Sequence, residues 1–188
     1  MSAIAEQAGE RRNWWRVARW SAAAALLCVP AIAMRFPGSG FDWTASDFVI
    51  MGMLFAAILG AYEVLAARAP SIAYRAASVL TTLGLFLLIW FNLAVGIIGS
   101  ENNDANLMFA GVIVAVVGGA CAARFRPRGM SNTLFVAAGM QAIIGVAALA
   151  LNLGVEGRGW PRDVIVLTGF FTALWAVAGT LYRMSRGS

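Results

Sequence analysis

The chain has 188 residues, of which 61% are hydrophobic and 12% charged, with a formal net charge of +5 and a mean hydropathy of +0.77. An ordinary soluble domain is about 45–50% apolar and about 25% charged. The composition of this chain therefore excludes an ordinary soluble domain. The absence of histidine and lysine excludes histidine haem ligands, histidine-bearing metal sites, Ser-His catalysis and the lysine of a phosphate loop.

Apolar runs recur along the chain at lengths near the ~20 residues that cross a bilayer as a helix. They predict an all-α, polytopic membrane helical bundle of six transmembrane helices, at about residues 16–35, 46–67, 74–98, 105–123, 133–153 and 162–182. A basic N-terminal segment (1–15) precedes the six-helix transmembrane domain (16–183), and a tail (184–188) follows it. The gaps are too short for a soluble domain, which needs about 50 residues.

The first predicted helix follows arginines and tryptophans, including Trp14 and Trp15. This composition is typical of an interfacial anchor that faces anionic lipid, rather than of a nucleic-acid site. The stretch "RRNWWRVARWSAAAALLCVPAIAM" also has the layout of a cleavable secretory signal, ending at Ala31-Ile32-Ala33. We expect the helix to be retained, because its apolar part extends back to Trp14 and the remaining segments then alternate correctly. Cleavage would leave five spans.

Arginine and lysine near helix ends are retained on the cytoplasmic side of a membrane. With the N-terminus inside, eleven of the 14 basic residues, all arginines, are cytoplasmic, and only Arg35, Arg158 and Arg162 lie outside. We therefore expect both termini to be cytoplasmic.

Small residues recur at every fourth position in two of the predicted helices. They are Gly52, Ala56 and Gly60 in the second, and Gly111, Ala115, Gly119 and Ala123 in the fourth. Residues four apart share one helix face, and such a face lets another backbone approach closely. Two interpretations are open: packing within the chain, or an interface with another subunit.

The even-numbered helices share a second pattern. Each begins at or after an aspartate and ends at an arginine, while the third and fifth helices end with the related segments "FNLAVG" and "LNLGVEG". A chain of three helical hairpins would explain both observations. Membrane topology alone produces part of the same pattern.

Three polar residues fall inside the predicted helices. Glu63 lies near the end of the second helix. A charged side chain inside the membrane is a candidate functional residue; the alternative is that Glu63 reaches the membrane–water interface or pairs with Arg68 or Arg75. Asn92 and Gln141 lie deeper. Amide side chains at such depth usually form hydrogen bonds between helices. The alternative is that Asn92 and Gln141 line a polar path through the membrane.

The run Ser100 to Asp104, "SENND", interrupts the apolar chain. We expect Gly99 and Ser100 to end the third helix, and Asp104 to cap the fourth by accepting hydrogen bonds from its free amides. This explains the run as a turn without a ligand. A hard cation bound by oxygen ligands is the alternative, with candidate ligands Asp47, Glu101, Asn102, Asn103, Asp104 and Asp163.

The segment "NLAVGIIGSENNDANLMF", with the later "ARFRPRGM", resembles an uncharacterised family of small multi-span bacterial inner-membrane proteins. The resemblance covers roughly residues 43 to 153. It implies a bacterial inner-membrane location and brings no activity, cofactor or catalytic residue.

These observations favour a non-catalytic accessory or scaffold component of the membrane. A small transporter or channel for an ion or small solute is the alternative, supported by Glu63, Asn92 and Gln141. We expect no enzyme activity, catalytic residue, metal or cofactor. The expected partners are the lipid bilayer and either another membrane subunit or a second copy of the chain, and not nucleic acid.

Overall fold

The computed structural model describes residues 2–36, 38–40 and 42–185, with the backbone alone for residues 2–13. Met1 of the predicted N-terminal segment and residues 186–188 of the predicted tail lie outside these described residues. Within them the chain forms the helices α1 (Ser2–Ala33), α2 (Ala45–Ala67), α3 (Ile72–Ala94), α4 (Met108–Ala122), α5 (Pro127–Ala150) and α6 (Arg162–Met184). A 3₁₀ helix, Asp104–Leu107, leads into α4. The six helices are long and apolar enough to cross a membrane, which confirms the predicted all-α class.

Three helix boundaries differ by four residues or more from those predicted. Helix α1 begins at Ser2, although the apolar part starts only at Trp14. Helix α3 ends at Ala94 instead of near residue 98, because Gly96 takes a φ of +76° that stops the helix. Helix α5 begins at Pro127 instead of near residue 133, because proline fits the first helical position and hydropathy misses a polar first turn.

The chain divides into two compact units, residues 1–60 and 61–188, with the boundary inside α2. In the C-terminal unit α6 packs against both α3 and α5, and α4 packs against α5. The predicted hairpin of α5 and α6 is thus formed. Helices α3 and α4, the predicted middle hairpin, pack mainly against other helices.

The interior of the C-terminal unit is built from buried faces that repeat every three or four residues, as one side of a helix does. Helix α3 contributes Tyr74, Ser78, Thr81, Leu85 and Leu88; α5 contributes Met130, Leu134, Ala137, Gln141, Ile144 and Ala148; α6 contributes Val164, Thr168, Phe171, Trp175, Ala178 and Tyr182. The interior is therefore apolar with neutral polar side chains set into it.

Tyrosines close one end of this unit, which we call the tyrosine end. The Tyr74 hydroxyl donates to the Phe125 carbonyl at 2.7 Å, and the Tyr74 and Tyr182 rings meet edge to face at 4.8 Å. The hydroxyls of Ser78 and Tyr182 lie 3.1 Å apart. These contacts join α3, α6 and the α4–α5 connection.

Candidate functional site

The connection between α3 and α4, residues 95–103, is a packed loop. Its Ile97 and Ile98 are 1% and 0% exposed. The Asn106 Oδ1 accepts hydrogen bonds from the backbone N–H groups of Ile97 and Ile98, both at 2.9 Å. The Asn106 Nδ2 donates to the carbonyls of Ile98 and Ser100, at 3.2 and 2.7 Å. One buried amide thus satisfies four backbone groups and fixes the loop to the start of α4.

Glycines bring this loop into backbone contact with the α5–α6 connection, residues 151–161. Gly99 and Gly154 have φ values of +78° and +81°, in the left-handed region that favours glycine. A Cβ on Gly154 would lie 2.6 Å from the Gly99 nitrogen, and one on Gly157 would lie 2.7 Å from the Gly99 Cα. A side chain at these positions would force the two connections apart. We call this end of the unit the loop end.

A cleft of about 480 Å³ opens at the loop end, lined by Gly99, Ser100, Asn103 and residues 152–157. The Asn103 Oδ1 is occupied by the Ala105 N–H at 2.9 Å. Among the described residues that line the cleft, Glu156 is the one with an ionisable side chain. The rest of the lining is glycine backbone and the neutral side chains of Ser100, Asn103, Asn152, Leu153 and Val155.

The prediction that Asp104 caps the start of α4 is wrong. Asn103, not Asp104, accepts the hydrogen bond at the start of the 3₁₀ helix, because that helix begins one residue after Asn103. Asp104 itself is exposed. At α2, Asp47 bonds the Thr44 N–H at 2.7 Å and the Thr44 hydroxyl at 2.8 Å, which closes the start of that helix as a capping residue does.

The other predicted cation ligands do not converge in the described residues. Glu101 is exposed and accepts from the Asn102 amide at 3.2 Å, and Asp163 faces the Arg162 guanidinium at 3.5 Å. No three acidic or cysteine side chains lie together there in an arrangement that could hold a metal ion. The "SENND" run therefore belongs to a loop whose shape depends on Asn103 and Asn106.

Glu63 is half-buried on α2, near the tyrosine end. The neighbouring Arg68 donates to the Val64 carbonyl at 3.1 Å and lies over the Phe125 ring, 4.9 Å from its centroid. A guanidinium over an aromatic face is attracted by the negative face of the ring. The Arg68 side chain thus ties the end of α2 to the α4–α5 connection.

The two deep amides have different surroundings. The Asn92 Nδ2 donates to the Leu88 carbonyl at 2.7 Å, within α3, while its buried Oδ1 has no hydrogen-bond partner among the described residues. Gln141 is fully buried, and neither its Oε1 nor its Nε2 has a partner in the described part of the chain. Among the described residues, these two amides therefore do not make the predicted cross-helix hydrogen bonds.

The two small-residue stripes also differ. On α4, a Cβ at Gly119 would lie 2.6 Å from the Thr133 Oγ1, and one at Gly111 would meet the Met140 methyl at 3.6 Å. Ala115 lies between them and is half-buried. The α4 stripe is thus an intrachain contact with α5.

On α2, the stripe of Gly52, Ala56 and Gly60 has no such close neighbour within the N-terminal unit. A Cβ at Gly52 would make an ordinary contact with the Leu27 Cδ1 at 3.8 Å, and one at Gly60 would have no neighbour within 4 Å. Ala56 is exposed. The α2 stripe is therefore not closely packed within the N-terminal unit.

Sequence reasoning missed Asn106, the residue with most of the side-chain hydrogen bonds at the loop end. A signal was present, because Asn106 stands three residues before Phe109 and six before Val112, and so continues the spacing of the buried face of α4 into the preceding 3₁₀ helix. A polar residue in the register of a buried face has to find hydrogen-bond partners.

Comparisons of the chain with known protein families, with curated proteins and with solved structures find no match.

Proposed function

We propose that this chain is a non-catalytic component of a bacterial inner membrane, an accessory or scaffold subunit that associates with another transmembrane helix through α2. The proposal includes membership in the family of small multi-span proteins that the sequence resembles. It also includes cytoplasmic termini, for which the distribution of arginines is the support.

The observation that carries the proposal is the small share of α2 that is buried. In its apolar window 6% of the residues are buried, against 44% in α3, and Leu65 is its buried residue. Helices in a bilayer are held together by close packing rather than by the hydrophobic effect, since lipid is as apolar as leucine. A helix face that its own unit leaves uncovered can be covered by lipid or by another helix.

The stripe of Gly52, Ala56 and Gly60 gives α2 a face suited to close packing against another helix. Small residues four apart let two helix backbones approach closely. The equivalent stripe on α4 is occupied by Thr133, so the same pattern supports a tight helix contact elsewhere in this chain. Partners that satisfy this chemistry are a second copy of α2 or a similar helix of another membrane protein.

The residue inventory supports a non-catalytic role. The chain has no histidine or lysine, and the buried polar residues described are serine, threonine, asparagine and glutamine. Hydrolytic and redox chemistry inside a membrane ordinarily requires a nucleophile with a base, a metal or a haem ligand.

The test compares Gly60→Leu with Gly169→Leu, a matched control in which a helical glycine on α6 also has open space around it. Both proteins are extracted in mild detergent from the membrane in which they are made and run on native gels. We expect wild type and Gly169→Leu to retain a second chain and Gly60→Leu to lose it, with unchanged thermal unfolding. A lone wild-type protomer, or equal effects of the two substitutions, would contradict the proposal.

A transporter or channel is the second candidate function, and the neutral polar interior of the C-terminal unit favours it. Asn92, Thr168 and Gln141 lie on the buried sides of three different helices. No charged side chain is among the buried polar residues described, so an uncharged solute fits this interior better than an ion. Purified protein in liposomes should then accelerate glycerol or urea entry in a stopped-flow swelling assay; permeability equal to that of empty liposomes would exclude this function.

A further inference from the structure

Polar side-chain atoms in the interior of the C-terminal unit are buried without a hydrogen-bond partner among the described residues. They are Asn92 Oδ1, Gln141 Oε1 and Nε2, Thr168 Oγ1, Thr172 Oγ1 and Trp175 Nε1. We call these five residues the polar seam. Gln141 and Trp175 are fully buried, and Thr168 is 6% exposed.

The helix registers place the seam residues at neighbouring depths. Thr168, Thr172 and Trp175 are spaced by four and three residues, so they share one side of α6. Helices α5 and α6 are antiparallel, and a Cβ on Gly145 would collide with Thr168. Gln141 lies one turn before Gly145, and Thr172 lies one turn after Thr168, so these two residues are at the same level.

Helix α3 brings the remaining member to this region. The rings of Phe91 and Phe171 lie 6.1 Å apart, which places Asn92 within about one helical turn of Thr168 in the antiparallel pair of α3 and α6. One turn or two further along, the indole of Trp175 packs where a Cβ on Gly84 would lie 2.8 Å from its Cη2. The polar seam therefore lies along the two contacts that α6 makes, one with α5 and one with α3.

Other hydroxyls in the same bundle are satisfied within their own helix. The hydroxyls of Thr81 and Thr82 donate to the carbonyls of Ala77 and Ser78, at 2.8 and 2.9 Å, and Thr180 on α6 bonds Ala176 at 2.8 Å. Thr168 and Thr172 make no such bond within the described residues. An amide without a hydrogen-bond partner is costly inside a bilayer, because no bulk water is present there to bond it. The seam residues therefore need a partner from outside the protein.

The seam has donors and acceptors but no charge. The Gln141 Nε2 and Trp175 Nε1 are able to donate a hydrogen bond, the Gln141 Oε1 and Asn92 Oδ1 are able to accept one, and a threonine hydroxyl is able to do both. We propose that the polar seam binds a small uncharged molecule that both donates and accepts hydrogen bonds, either water or a small polyol or amide. A buried water typically has two to four polar partners, and by the register above Gln141, Thr168 and Thr172, each with an unpaired polar atom, lie within one helical turn of each other. The site does not depend on whether α2 has a partner chain.

The test uses the full chain in lipid nanodiscs with ¹⁵N-labelled tryptophan, and follows the Trp175 indole N–H by NMR. Trp175→Phe assigns its signal. We expect a cross-peak between this indole proton and water, with fast exchange in D₂O, although the residue is fully buried. Adding glycerol or urea separates the two ligand sources: a saturable shift of the Trp175 signal indicates a solute site, and an unshifted signal that keeps its water cross-peak indicates a water site.

Variants connect the signal to the seam. Gln141→Met keeps the length of the side chain and removes both amide atoms, and it should slow Trp175 exchange about tenfold or more. Asn132→Leu, at an exposed polar position of the same helix, should leave exchange unchanged. If Gln141→Met does not fold, Thr168→Val serves the same purpose. A wild-type Trp175 indole that is protected from D₂O, with no water cross-peak and no shift with glycerol or urea, would overturn the proposal.

Discussion

Replacing Asn106 by alanine should be the most damaging single change at the loop end. The substitution leaves the buried N–H groups of Ile97 and Ile98 without their acceptor. An orphaned buried donor costs about 1–3 kcal/mol, so the loss from two of them is about 2–6 kcal/mol of unfolding free energy. The carbonyls of Ile98 and Ser100 also lose a donor, but Ser100 is exposed and can bond water instead.

Equilibrium unfolding in mixed micelles of sodium dodecyl sulfate and dodecylmaltoside, followed by tryptophan fluorescence, measures this loss. Asn102→Ala is the matched control, because Asn102 is exposed and bonds only the adjacent Glu101 among the contacts described; its effect should stay within about 0.5 kcal/mol. Hydrogen exchange at Ile97 and Ile98 should accelerate in Asn106→Ala alone. Equal stabilities of the two variants would refute the role of Asn106.

Three further predictions concern packing and topology. Gly119→Leu should destabilise the C-terminal unit by about 1–3 kcal/mol, because the new side chain meets Thr133; an unchanged thermal transition would show that α4 does not pack there. Gly154→Ala should lower the unfolding temperature, since φ is +81° and the Cβ would lie 2.6 Å from the Gly99 nitrogen; wild-type stability would contradict this contact. A fluorescent protein fused after Ser188 should be fluorescent and alkaline phosphatase at the same point inactive; the reverse pattern would invert the topology.

The membrane class and the number of helices could be predicted because they depend on composition and run length alone. Helix ends depend on local backbone conformation, and here hydropathy misleads. Ile97 and Ile98 are apolar enough to extend the predicted third helix, but they are buried in a loop after Gly96 turns the chain. An apolar residue indicates burial, and it does not indicate whether the buried backbone is a helix or a loop.

The candidate site was only partly predictable for the same reason. Identical small-residue spacing on α2 and α4 has two outcomes, because Gly119 faces Thr133 while Gly60 has open space in its unit. The sequence identifies Gln141 as a deep polar residue, but the positions of Thr168 and Trp175 relative to Gln141 depend on the register between α5 and α6. That register follows from side-chain packing at positions such as Gly145, which no local pattern encodes.

Native mass spectrometry of the untagged protein, released from its own membrane in mild detergent, tests most directly whether this chain works as a component of a larger membrane assembly. We predict a stoichiometric second protein chain, either another copy or a different membrane protein. A lone protomer that carries only lipid or a small polar molecule would contradict the accessory or scaffold role and would favour transport through the polar seam.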